Sequence, residues 1–212
     1  MAPSAGRSDD ARLRGAATKR ARSRAAIQAA AAEVFAARGW LATRVEDIAR
    51  AAGVSTPTAY NHFPGGKQQL MGEVYRPLVD PLLSAADAAI RSRVDPFEAV
   101  RAHVSALAQL ARRHQRLTEA LVIAVGEQTA KVGRPTVPDP SDIRIIVPLT
   151  APLTQLLEYG QLARAFRDYP PAADTSSYHT NAILLRVFSR PDETPQDTAR
   201  IALSQLIPAL DR

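Results

Sequence analysis

The stretch TRVEDIARAAGVSTPTAYNHFPGGK, residues 43–67, predicts two short helices joined by a tight turn. In its first half the apolar residues recur at spacings of three and four, the period of a half-buried helix: Val45, Ile48, Ala49 and Ala52. Thr43 occupies the N-cap position, and Glu46 three residues later completes a capping-box pattern. Gly53 follows the last apolar residue, where a left-handed backbone conformation ends many helices.

The second half of the stretch predicts a helix that begins at about Thr56. Ser55 is a good N-cap, and Pro57 falls in the first turn, where a missing backbone N–H is harmless. Ala59 and Phe63 turn inward. The other positions stay near the surface: Thr56, Thr58, Tyr60, Asn61 and His62. This is the pattern of a helix-turn-helix, in which the second helix enters the major groove of DNA.

A set of residues in and around this motif carries a resemblance to a known family in both type and order. These residues are Ile27, Val34, Phe35, Gly39, Trp40, Thr43, Asp47, Ile48, Ala49, Ala52, Gly53, Val54, Ser55, Thr58, Tyr60, His62, Phe63, Lys67 and Leu70. In these residues, over about 20–75, the chain resembles the tetracycline-repressor (TetR) family of bacterial regulators. The resemblance implies an all-α fold, with an N-terminal three-helix DNA-binding domain and a C-terminal helical ligand-binding and dimerisation domain. Two departures are the Pro57 and Ala59 pair before the tyrosine and a longer loop, Pro64–Gly66, before Lys67.

Composition narrows the class of protein. The chain has 212 residues, 46% hydrophobic residues and no cysteine, so it can bury a core but can form no disulfide or thiolate site. No apolar run approaches the roughly 20 residues that span a bilayer, and the N-terminus is polar and charged, unlike a signal peptide. We therefore expect a cytoplasmic protein with no membrane contact.

Positive charge is concentrated at the N-terminus. Residues 1–24 hold seven basic and two acidic residues, which is nearly all of the net charge of +6. Such a segment beside a helix-turn-helix favours attraction to DNA phosphates, and the alternative is a solubilising tail. Residues 1–17 lack apolar periodicity, so we expect a disordered basic arm there, the DNA-binding domain at 18–66 and the regulatory and dimerisation domain at 67–212.

Further helices are predicted along the rest of the chain. The first spans about 18–38. The helix after Lys67 contains Pro77 and Pro81, which indicate either a hinge or two shorter helices. The sequence from Asp95 to Glu98 starts a helix that runs to about 113, and an antiparallel neighbour follows at about 115–130. Residues 133–141 predict a loop, and the apolar segment 143–159, with Pro148 and Pro152, predicts a bent helix.

The last two helices, about 175–189 and 195–210, predict the oligomeric state. The final helix carries an apolar stripe that something must cover: Ala199, Ala202, Leu203, Leu206, Ile207 and Leu210. The resemblance implies that these two helices pair with their copies in a homodimer, whose two-fold symmetry a pseudo-palindromic operator would mirror. The alternative is that the stripe packs within one subunit.

The DNA contacts can be assigned by residue type. Thr56, Thr58 and Asn61 are expected to reach base edges, because asparagine pairs with adenine and a threonine methyl can meet a thymine methyl. The resemblance assigns phosphate contacts to Tyr60, His62, Thr43 and Lys67, and Arg44 joins them by position. The alternatives are a packing role for Tyr60 and a solvated side chain for His62.

The regulatory half predicts an effector cavity by helix order and resemblance. Its candidate lining is Leu78, His103, Val104, Leu107, Leu121, Val125, Val147, Leu156 and Tyr159, with His103 as the polar contact. Core packing is the alternative for each of these residues. A small hydrophobic effector would release DNA by binding better to the conformation in which the two DNA-binding heads no longer fit successive grooves.

The two other functional classes are an enzyme and a regulator that binds no ligand. The four histidines lack metal-ligand spacing, and the sequence contains no phosphate-binding glycine loop or nucleophile motif, so we expect no enzyme, metal or cofactor. A ligand-independent regulator or activator stays open. A long apolar body beyond what DNA binding requires favours a sensor, and repression rests on the resemblance.

Overall fold

The computed structural model describes residues 5–132 and 142–211, and every regular element within them is an α-helix. The described helices are α1 (Ala5–Arg38), α2 (Val45–Ala51), α3 (Thr56–His62), α4 (Gly66–Arg91), α5 (Pro96–Arg113), α6 (Gln115–Val132), α7 (Ile143–Ile146), α8 (Ala151–Leu162), α9 (Ala172–Ser189) and α10 (Pro195–Leu210). The predicted all-α class is confirmed. The predicted loop at 133–141 lies outside the described residues.

Helix α1 is longer than the sequence predicts. It begins at Ala5, so residues 5–17, which we expected to be disordered, continue the helix in the N-terminal direction. Alanine and arginine, which dominate this part of the chain, are strong helix formers and need no apolar stripe to extend an existing helix. Residues 14–22 of α1 are exposed to solvent.

The turn between α2 and α3 follows local sequence signals. Gly53 has a φ of +67°, the left-handed conformation expected at this corner. Ser55 caps α3, and its Oγ accepts a hydrogen bond from the Thr58 backbone N–H at 3.3 Å. The predicted capping box at α2 is wrong, because the N-cap residue is Arg44 and no side chain caps this helix.

The first hydrophobic core joins the N-terminal helices α1–α3, which we call the head, to the rest of the protein. Ile27, Phe35, Ile48 and Phe63 of the head are fully buried together with residues of α4, α6 and α7. The residues from these later helices are Leu70, Met71, Tyr75, Leu121, Ala124, Ile143 and Val147. Because these side chains are packed together, a movement of α4 or α6 would displace the helices of the helix-turn-helix.

Helix α4 connects the head to the body as one continuous helix of 26 residues. It contains both Pro77 and Pro81, so the alternative of two shorter helices is wrong. The apolar segment 143–159 breaks more sharply than the predicted bend, since α7 ends at Ile146 and α8 begins at Ala151. Pro148 lies in the interruption.

The second hydrophobic core lies between α4, α5, α8, α9 and α10. Leu206 and Leu210 of α10 are buried in it beside Val104 and Leu107 of α5. Much of the α10 stripe is thus covered within the same subunit, as the alternative had it, although Leu203 and Ile207 remain half-buried. Exposed large apolar side chains lie instead on α9: Tyr178, Leu185 and Phe188.

Candidate nucleic-acid interface

Helix α3 presents a polar face to solvent on the head. Tyr60 and Asn61 are exposed, and Thr56, Thr58 and His62 are half-exposed, while Ala59 on the opposite side is completely buried. Exposed Arg44 lies just before α2. We call these outward residues, Arg44, Thr56, Thr58, Tyr60, Asn61 and His62, the recognition face. Pro57 is also exposed here, although the sequence suggested for it only a role in starting the helix.

Thr43 does not belong to this face. It is 1% exposed, and its hydroxyl donates a hydrogen bond of 2.7 Å to the backbone carbonyl of Gly39. A hydroxyl that is buried and already bonded cannot reach a phosphate. The predicted phosphate role of Thr43 is therefore wrong, and the residue instead closes the corner between α1 and α2.

Lys67 is also turned into the protein. Its Nζ donates to the Trp40 carbonyl at 3.0 Å and lies 4.0 Å from the centre of the Trp40 ring, a cation–π contact. Burial lowers the pKa of Lys67, and nearby Glu127 partly opposes this effect. The position of Lys67 therefore contradicts its predicted phosphate contact. The longer loop, Pro64–Gly66, lies immediately before Lys67 in the chain.

Arg24 is a functional residue that the sequence analysis missed. Its guanidinium donates to the His62 carbonyl at 2.9 Å and to the Glu73 carboxylate at 2.6 Å, and it lies 4.4 Å from the centre of the Phe63 ring. It thereby satisfies a carbonyl at the C-terminal end of α3 and ties that end to α1 and α4. The partners are 38 to 49 residues away in the chain, so no local pattern could reveal them.

A polar cluster connects α6 to the head. The Trp40 indole N–H donates to the Glu127 carboxylate at 2.5 Å, and Glu127 is also bonded to Lys131 on the same helix. Hydrogen bonds from Lys131 and Trp40 lower the pKa of Glu127, which keeps it ionised. We call Trp40, Lys67, Glu127 and Lys131 the junction cluster, since it joins the corner after α1 to the first turn of α4 and the end of α6.

The nine predicted effector-binding residues do not line one cavity. Leu121 and Val147 are buried in the first core, with Leu78 and Val125 packed against it. Val104 and Leu107 are buried in the second core. Core packing, the alternative, describes five of these residues, whereas Leu78 also borders a separate cavity of about 870 Å³ between α4 and α5.

His103 and Leu156 do line a cavity, of about 300 Å³, between α4, α5 and α8. The Tyr159 hydroxyl donates to the Val94 carbonyl at 2.9 Å, and Val94 is part of the cavity wall. Burial lowers the pKa of His103 to about 4, so the imidazole is neutral at pH 7. The sequence predicts His103 as the polar contact of a cavity, but most of the residues that line this cavity are not among the predicted candidates.

Neither a metal site nor a membrane-spanning helix is present within the described ranges, 5–132 and 142–211. No group of three histidine or acidic side chains there could hold a metal ion. No helix among these residues has both the length and the apolar character needed to cross a bilayer.

Comparison with known proteins matches the helix-turn-helix region. The family model for bacterial regulatory proteins of the tetR family covers residues 27–74, which include α2, α3 and the first third of α4. The chain resembles this family over that segment, which is 48 of its 212 residues. The matched segment contains all of the recognition face as well as Trp40 and Lys67.

Relatives with a described role match this chain over part of its length. It is 42% identical to the HTH-type transcriptional activator FasR of Mycolicibacterium smegmatis over 77 residues, or 36% of this chain and 35% of FasR. It is 36% identical over 101 residues to the HTH-type transcriptional regulator BetI of Rhizobium meliloti, or 48% of this chain and 47% of BetI. The chain thus spans between a third and a half of the length of these relatives.

Structural similarity to solved proteins extends over nearly the whole chain. The structure of Thermus thermophilus FadR, a TetR-family transcriptional repressor in complex with lauroyl-CoA, superposes with a TM-score of 0.66, covering 89% of this chain and 96% of FadR. Sequence identity in that comparison is 22%, so the similarity shows a shared fold.

Proposed function

We propose that this chain is a ligand-responsive transcriptional regulator, a repressor that binds a pseudo-palindromic double-stranded DNA operator as a homodimer. The observation that carries the proposal is the exposed recognition face on a helix that is fixed at both ends. Ser55 caps its beginning and Arg24 holds its last carbonyl. A helix held in this way should lose less backbone conformational entropy when it enters the major groove than an unconstrained helix would.

Within the recognition face, we assign base contacts to Thr56, Thr58 and Asn61. Asn61 is exposed and carries an amide that can both donate to and accept from an adenine edge. Arg44, Tyr60 and His62 then contact phosphates and set the position of the protein on the duplex. The exposed basic residues in the N-terminal half of α1, Lys19, Arg20 and Arg22 among them, add attraction that does not depend on sequence.

The regulatory half, residues 67–212, supplies dimerisation and effector binding in this proposal. FadR supports both a repressor role and a response to a small ligand, because it shares the fold and was solved with an acyl-CoA. The proposed effector is small and hydrophobic, and its binding releases the operator. FasR, which matches 77 residues of this chain, is an activator, so activation is the alternative for the sign of the response.

Binding to duplexes selected from a random DNA library tests this function. Asn61→Ala should weaken binding to selected duplexes roughly tenfold or more, because a bidentate base contact is lost, and leave binding to random duplexes nearly unchanged. Arg44→Gln should weaken both and reduce the slope of log affinity against log salt by about one. Fluorescence anisotropy at several salt concentrations measures both effects.

Gln196→Ala serves as the control, because this exposed residue lies on α10 in the regulatory half. It should bind both kinds of duplex like the unaltered protein. No measurable binding to any duplex at low salt would refute the proposal, and equal losses by Asn61→Ala on selected and random duplexes would refute the assignment of Asn61.

A further inference from the structure

The cavity beside His103 has an unusually uniform wall. Six alanines from α4 and α5 line it: Ala85, Ala86, Ala89, Ala99, Ala102 and Ala106. Because each alanine projects only one methyl group, these side chains leave space between the two helices, and we call this space the slot. Ala85 and Ala102 are exposed, so the slot opens to solvent, while buried Leu82 and Leu156 add apolar surface within it. A volume of about 300 Å³ lies at the low end of the range for ligand sites.

His103 supplies a polar atom that nothing in the protein satisfies. Its side chain is 5% exposed, and its Nε2 is buried with no hydrogen-bond partner among the described residues. Most buried polar atoms in folded proteins have a partner, because leaving one unpaired costs free energy. A neutral imidazole has one donor and one acceptor, so an uncharged group in the slot could satisfy Nε2.

The charges around the slot restrict the ligand further. Glu98 lies at its wall and is exposed, and the described lining residues include no lysine or arginine. A carboxylate or phosphate in the slot would lose hydration, gain no cation and meet the negative charge of Glu98. An ammonium group could pair with Glu98 only near solvent, which would leave Nε2 unsatisfied.

We propose that the slot binds a slender, uncharged, mainly apolar molecule whose single hydroxyl or carbonyl group forms a hydrogen bond with His103 Nε2. This rests on the proposed function in that such a molecule would be the effector. It also separates the chain from FadR, whose lauroyl-CoA ligand carries phosphate charges that this slot does not accommodate.

Three probes with the same chain and different head groups test the proposal: 1-octanol, octanoate and octylammonium. Isothermal calorimetry on the full chain without DNA measures their affinities. We expect 1-octanol to bind at least tenfold more tightly than either ion, since only the alcohol brings its polar group to His103 without losing a hydrated charge. Absence of octanol binding, or equal or tighter binding of octanoate or octylammonium, would overturn the proposal.

Variants locate the bound alcohol. Ala102→Trp should abolish octanol binding by filling the mouth of the slot at an exposed position where the protein tolerates a large side chain. Ala130→Trp is the matched control, because Ala130 is equally exposed on a helix but lies outside the slot. His103→Leu should weaken octanol roughly tenfold while keeping the site apolar. Unchanged binding in Ala102→Trp or His103→Leu would place the ligand elsewhere and refute the assignment.

The readouts distinguish this inference from the proposed function. Octanol binding without DNA binding would support the slot and refute the regulator, whereas selective DNA binding without octanol binding would do the reverse. Where both occur, lower affinity for selected duplexes in saturating octanol supports the alcohol class as the effector. Unchanged DNA affinity would show that the bound alcohol is not an effector and would overturn that part of the inference.

Discussion

His103 is a buried titratable side chain that makes the stability of this protein depend on pH. Burial lowers its pKa from 6.5 to about 4, so the folded protein keeps the imidazole neutral where the unfolded chain would protonate it. Between these two pKa values the unfolded state binds more protons. Stability contributed by the neutral histidine is therefore present above pH 6.5 and is lost as the pH falls toward 4.

The prediction is that lowering the pH from 7 to 5 destabilises the unaltered protein about 2 kcal/mol more than His103→Leu. Urea denaturation at both pH values measures this difference. All other titrating groups are common to the two proteins, so the difference isolates His103. An equal loss of stability in both proteins would show that the imidazole is already protonated or solvated in the folded state.

Gly160 on α8 has no room for a side chain, because an aromatic ring lies close to its backbone. A Cβ at this position would lie 2.1 Å from two atoms of the Phe166 ring, which is itself completely buried. We expect Gly160→Ala to destabilise the protein by about 1–3 kcal/mol, because the ring must move inside a packed core.

Gly126 provides the matched control for that measurement. It lies on α6 with nothing within 4 Å of an added Cβ. Gly126→Ala should stabilise the protein by up to about 1 kcal/mol through helix propensity alone. Thermal or urea unfolding of both variants measures the contrast, and equal effects would contradict the account of Gly160.

Single residues also show what the sequence could predict. Ser55, Pro57 and Gly53 were assigned correctly because their roles depend on neighbours within a few residues. Thr43 and Lys67 were assigned to phosphate because the family resemblance was carried over by position. Their actual partners are Gly39 and Trp40, and the preference of the Lys67 ammonium for an aromatic ring 27 positions earlier has no local signature.

At the level of helices, the junction cluster is the polar connection that joins α6 to the head near Trp40. We predict that Glu127→Ala speeds hydrogen exchange several-fold in α2 and α3, because the Trp40 indole loses its acceptor and the head is held less firmly. Mass spectrometry of exchanged peptides measures this. Glu119→Ala, which removes an acid of the same helix paired with Arg116, is the control and should leave exchange in the head unchanged.

Helix boundaries show a similar limit of sequence reasoning. The start of α10 at Pro195 and of α5 at Pro96 follow from N-cap residues, Thr194 and Asp95, whose side chains accept hydrogen bonds from backbone N–H groups three residues later. The start of α1 was misplaced by 13 residues, because propensity alone extends it through polar sequence. Which core each apolar stripe enters depends on tertiary packing, and this separated the predicted effector residues.

For the whole molecule, α9 carries the exposed apolar surface that a second copy would cover. Tyr178, Leu185 and Phe188 lie seven and three positions apart, which places them on one face of the helix, and they are 71%, 53% and 48% exposed. The proposed homodimer through the last two helices therefore depends on α9 more than on α10. This apolar face is the kind of surface that subunit interfaces bury.

Leu185→Arg should convert the dimer to a monomer at micromolar concentration and weaken binding to selected duplexes, while barely changing the stability of the isolated subunit. Sedimentation velocity measures the mass. Gln205→Arg places the same charge on an exposed position of α10 and should leave the dimer intact. Dissociation caused by Gln205→Arg instead would place the interface on α10.

The two prolines of α4 remove backbone hydrogen bonds at one place in the helix that connects the head to the body. Neither Pro77 nor Pro81 can donate a backbone hydrogen bond, so the carbonyls one turn earlier, including that of Glu73, lack their usual helical donor. Glu73 also holds Arg24 through its side chain. We therefore expect α4 to bend more easily here than elsewhere along its length, so that a small displacement of the body would change the tilt of α3.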